Sequence, residues 1–106
     1  MDTKMTRQEA NLEIIKFPII QELSNKTKSM YIDDWNFMSV LKQVINNYPD
    51  QRFGQLVCNY ICPDYRNPEV YDETKLIMNT LFPGNPDPFF EESTVTLKRL
   101  QDEYYN

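Results

Sequence analysis

The chain has 106 residues, of which 41% are hydrophobic, 25% charged and 13% aromatic, and it carries a net charge of −5 with no histidine. This apolar content is enough to offset the entropy of ordering, which excludes a disordered chain, and the length suits one domain over 1–106 with a single core. No apolar run approaches the roughly 20 residues that cross a bilayer, and basic residues cluster only at Lys26/Lys28 and Lys98/Arg99, so a soluble cytoplasmic protein with neither membrane nor nucleic-acid partners is expected.

The start, MDTKMTRQEA, lacks the basic-then-apolar order of a secretory signal. Thr6-Arg7-Gln8-Glu9 has the form of a capping box, which predicts a helix from about Arg7 to Lys16. Pro18 lacks an amide donor, so FPIIQELSNK is a kinked continuation or a second short helix beginning at the proline. SNKTKS reads as a loop. Asp33 or Asp34 is the expected cap of the next helix, in which Trp35, Met38, Leu41, Val44, Ile45 and Tyr48 recur at spacings of three and four before Pro49 stops it.

Residues 51–62 place Phe53, Leu56, Val57, Tyr60 and Ile61 on one helical face. Beside them runs a line of small residues, Gly54, Cys58 and Cys62, and what remains is a thin polar strip of Arg52, Gln55 and Asn59. A helix so widely apolar belongs at the centre of a fold. Glycine costs about 1 kcal/mol relative to alanine inside a helix, so close approach of another backbone over the small line is expected; admission of a ligand, or a turn at Gly54, are the alternatives. The polar strip is the candidate binding surface, because a planar guanidinium beside two amides can read carboxylates or backbone groups. Its bland counterpart is a solvated edge, with Arg52 pairing internally to Asp50 or Asp87.

The second half holds five of the seven prolines, so shorter elements and stiffer loops are expected there. DETKLIMNTLF, from Asp72 to Phe82, suits a short helix, PGNPDP a rigid turn, and FFEESTVTLKRLQDEYY a terminal helix with Glu91 and Glu92 near its positive end, although STVTL also passes as a strand. The predicted fold is therefore all-α, a compact bundle of four or five helices around a central one at 51–62. No internal repeat is present.

The usual catalytic signatures are absent, and no cofactor or metal is expected: Cys58 and Cys62 lack the further ligands zinc needs and read as reduced, semi-buried thiols. Asp87, Glu91 and Glu92 could hold Mg²⁺ or share acid–base duties, but acidic residues at a helix start, with Phe89 and Phe90 anchoring that turn, are the simpler account. Residues 1–53 carry seven basic and seven acidic side chains, residues 54–106 four and nine. That excess adds solubility, or suits an acidic mimic that meets a basic partner.

Arg52-Phe53-Gly54-Gln55, then Asn59, then Asp87, Phe89, Phe90, Glu91 and Glu92 form a pattern that resembles one recurring in short uncharacterised bacterial and phage-associated proteins. The resemblance covers the middle and last thirds and implies that the two motifs pack together, with Arg52 and an acid of the second as the candidate link. The expected role is that of a non-enzymatic accessory protein acting through a protein partner or self-association. Tyr65, Tyr71, Tyr104 and Tyr105 are then expected to form one exposed patch.

Overall fold

A computed structural model describes residues 5–27, 36–67, 69 and 72–105. Asp33, Asp34, Trp35 and Tyr71 lie outside the described residues, so the expected aspartate cap and the place of Tyr71 have no structural account. The architecture is all-α, with no strand among the described residues. The described residues form six α-helices: α1 (Arg7–Ile14), α2 (Pro18–Lys26), α3 (Phe37–Asn47), α4 (Phe53–Leu56), α5 (Asp72–Leu81) and α6 (Ser93–Tyr104). A π-helical segment, Val57–Ile61, continues α4, and a 3₁₀ turn, Pro88–Phe90, precedes α6.

Four or five helices were expected, and the sixth arises at Pro18. The capping box forms as read, with Thr6 Oγ1 accepting from the Glu9 amide at 3.1 Å and Glu9 Oε1 accepting from the Thr6 amide at 2.8 Å. Yet α1 stops at Ile14, and Pro18 opens a separate α2 as its first residue, where a missing amide hydrogen costs nothing. The cap of α3 is Asn36, whose Oδ1 accepts from the Ser39 amide at 2.9 Å. STVTL is helical, because Thr96 and Leu97 turn inward with Leu100 against the core.

The core joins Ile14 of α1, Ile20 of α2, Phe37 and Leu41 of α3, Phe53 and Leu56 of α4, and Ile77 of α5, all fully buried. At about 25 cal/mol per Å² of apolar surface removed from water, burial of such side chains is the main favourable term. The Cα radius of gyration, 13.3 Å, matches the roughly 13 Å of a packed chain of this length. Helix α1 lies along α6 and also fixes the loop that feeds α4: Arg7 Nη1 donates to the Asp50 carbonyl at 3.0 Å, and buried Asn11 donates through Nδ2 to the Gln51 carbonyl at 3.0 Å. The entrance to the central segment is thereby held from one side. Its other side meets the 3₁₀ turn.

Candidate functional site

Gly54 is the second residue of α4, and the backbone of the 3₁₀ turn lies directly over it. A Cβ built at this position would stand 1.9 Å from the Pro88 carbonyl oxygen and 2.8 Å from its carbon, so only glycine admits the contact. Close backbone approach was expected over Gly54, Cys58 and Cys62, and it is present at Gly54. The neighbour is a short turn from the second motif rather than another helix.

Three hydrogen bonds complete this junction. The Phe53 amide, one of the donors a helix start leaves without an internal partner, donates to Ser93 Oγ at 2.9 Å, so α6 caps α4 across the fold. Arg52 Nε donates to the Phe89 carbonyl at 3.2 Å, and its guanidinium lies 5.9 Å from the centre of the Phe89 ring. Gln55 Oε1 accepts from the Arg52 amide at 2.7 Å. Arg52 thus joins the two motifs through a carbonyl and a ring, where an acid of the second motif was the candidate. Of the polar strip, Arg52 and Gln55 are engaged within the chain. Asn59 is exposed, and its carboxamide has no partner among the described residues.

The π segment places Asn59. Its defining bond runs from the Cys62 amide to the Val57 carbonyl at 2.7 Å, one residue longer than in an α-helix. The widened turn brings Ile61 and Cys62 back to the buried side and leaves Asn59 and Tyr60 outside. Tyr60, expected on the core face, instead stacks on Tyr48, with ring centres 4.9 Å apart. Where the segment borders the second motif there is a pocket of about 310 Å³. Cys58 and Asn59 of the π segment line it, with Pro63, Tyr65 and Arg66 from the following turn and Phe89 and Phe90 opposite.

Both thiols are free and buried. Burial pushes Cys58 up to about 11 and Cys62 up to about 12, partly offset by hydrogen bonds involving Tyr65 and Thr74 respectively. Each is therefore a neutral thiol at physiological pH, and the nucleophilic thiolate is suppressed. Tyr65 is also raised, to about 12, first by burial and then by neighbouring Cys58. These groups serve as packing and as weak donors.

The three carboxylates of the second motif point to three different arginines. Asp87 Oδ1 takes Arg66 Nη2 at 2.8 Å and stands 3.5 Å from the Tyr65 hydroxyl. Glu92 Oε1 takes Arg7 Nε at 2.7 Å. Glu91 is the most enclosed, accepting from Asn85 Nδ2 at 3.0 Å, from Thr96 Oγ1 at 2.6 Å and from Arg99, which also donates to the Leu81 carbonyl. Among the described residues no group of three or more His, Cys, Asp or Glu is arranged to hold a metal ion. The motif's acids clasp the loop between α5 and α6.

The three described tyrosines of the expected patch divide between two places. Tyr104 and Tyr105 pack on Phe17, with ring centres 6.3 and 4.8 Å from it, whereas Tyr65 is half-buried in the pocket wall. Sequence reasoning missed Arg66, Ser93 and the Tyr48–Tyr60 stack. Arg66 follows a proline-ended helix in a stretch with no period, and Ser93 acts on an amide 40 positions away, so neither leaves a local signal. No family model, curated protein or solved structure matches the chain.

Proposed function

We propose that this chain is a non-enzymatic accessory protein that acts by binding another protein, and that the docking face is the rim where the π segment meets the 3₁₀ turn. The carrying observation is Phe90: 66% exposed, it lines the same pocket as Asn59, whose carboxamide has no partner among the described residues. A large exposed ring and a polar amide on one pocket suit an interface, whose centre favours aromatic side chains and whose rim is polar. The charged groups of both motifs are meanwhile engaged within the chain, which leaves this rim as the motifs' outward product. Two free, buried thiols accord with a reducing compartment, and cytoplasmic placement belongs to the same proposal. So does a phage-associated origin, which rests on the motif resemblance.

Photo-crosslinking tests the reading. With p-benzoylphenylalanine replacing Phe90, irradiation of the native host cells is expected to give a discrete protein adduct, either a second copy of the chain or another protein. The same substitution at Glu22, exposed on α2, is expected to give none. A bare position 90, or equal adducts at both positions, would refute the proposal.

A further inference from the structure

We infer that the pocket between the π segment and the 3₁₀ turn receives the C-terminal residue of a partner protein, its free carboxylate held by Arg66 and Asn59 and its apolar side chain seated among Tyr65, Phe89 and Phe90. This rests on the docking proposal and names the partner's chemistry.

Charge is the first argument. Arg66 is the sole charged group among the described residues that line the pocket, in a chain whose net charge is −5. A cationic point inside an aromatic wall selects a ligand that is apolar and carries one negative charge. The guanidinium is also held ready. It lies 5.1 Å from the centre of the Tyr65 ring, and Asp87 engages its Nη2 at 2.8 Å. A guanidinium has five N–H donors in a planar fork, so the remaining edge can take a carboxylate through two parallel bonds. Arg66 is 65% exposed and Asp87 44%, and an ion pair that open is weak enough to yield or share its guanidinium.

Asn59 supplies the second donor. Its Nδ2 can bond one carboxylate oxygen while Oδ1 accepts the amide hydrogen of the terminal residue, a pairing that fixes the direction of the bound strand. Size is the remaining constraint. About 310 Å³ is at the lower end of ligand pockets, which run from roughly 300 to 1,000 Å³; it accommodates one large side chain with its carboxylate and is too small for a nucleotide cofactor. A chain terminus carries both features on a single Cα.

Fluorescence anisotropy with the whole protein provides the test, using fluorescein-labelled Gly-Gly-Ser-Gly-Phe with a free C-terminus and the same peptide as its C-terminal amide. The free acid is expected to bind at least about tenfold more tightly than the amide, the scale of a charge-assisted pair, and to weaken as salt screens Arg66. Arg66→Gln and Asn59→Ala should each lower affinity for the acid while leaving the unfolding midpoint unchanged, since both side chains are exposed. Equal binding of acid and amide, no binding of either, or full affinity in Arg66→Gln would overturn the inference. N-acetylphenylalanine carries the same carboxylate, ring and amide hydrogen, so it is expected to displace the labelled peptide, and a failure to displace it would also overturn the inference. If the peptides fail while the position-90 adduct forms, the docking face stands and the terminal-carboxylate assignment falls.

Discussion

Gly54→Ala is expected to destabilise the fold by about 3 kcal/mol, read as a lower urea midpoint at an unchanged slope. Alanine gains about 1 kcal/mol of helix propensity over glycine, so a neutral site would register an increase in stability. Here the new methyl group meets backbone, at 1.9 Å from the Pro88 oxygen. That carbonyl cannot swing aside cheaply, because it also accepts from the Glu91 amide at 3.0 Å and sits in a turn stiffened by Pro86 and Pro88. The overlap has to be relieved by separating the 3₁₀ turn from α4, which stretches the Phe53–Ser93 and Arg52–Phe89 hydrogen bonds together. Gly84 provides the contrast. It has φ +73° and nothing within 4 Å of an added Cβ, so Gly84→Ala should cost only the left-handed backbone strain, about 1 kcal/mol.

Glu91→Ala is expected to cost about 3 kcal/mol, through a different cause. The Glu91 side chain is only 11% exposed and that of Arg99 27%, so removing the carboxylate leaves a largely enclosed guanidinium without its counter-charge, together with the Thr96 hydroxyl and the Asn85 amide. Breaking such a pair costs roughly 3–5 kcal/mol, and the partial exposure of Arg99 places this one at the low end. The pair's net worth is smaller than the cost of breaking it. Glu91→Leu combined with Arg99→Met should therefore recover most of the loss, as buried pairs replaced by apolar side chains commonly do. A double variant as unstable as Glu91→Ala would mean that the clasp, rather than the orphaned charge, sets the stability of the α5–α6 loop.

Local signals carried the helical reading furthest. The Thr6–Glu9 box, the three-and-four spacing from Met38 to Ile45 and the Asp72 start all reappear where the residues predict, because caps and amphipathic faces act over one or two turns. Gly54 was informative for the same reason: a costly residue inside a broadly apolar helix implies a close neighbour. What the neighbour is depends on contacts with residues 88, 89 and 93, and no local pattern specifies a 3₁₀ turn meeting a helix from that distance. The π register was equally hidden. One inserted position moved Tyr60 from the core face to a stack on Tyr48 and set Asn59 at the pocket rim, and the sequence of Val57–Ile61 is unremarkable for an α-helix. The carboxylates were legible as a helix entrance. Their partners, three arginines drawn from α1, the turn after the π segment and α6, were not, since ion pairing between distant segments follows from the packing rather than directing it.

The central claim is that the backbone of the second motif rests on Gly54 and so builds the pocket and its rim. A two-dimensional NOE spectrum of the protein tests this most directly. The account predicts a cross-peak between the Gly54 α-protons and the amide proton of Phe89, whose nitrogen lies 3.5 Å from the site of an added Cβ. A well-dispersed spectrum with both residues assigned and that cross-peak missing would contradict it.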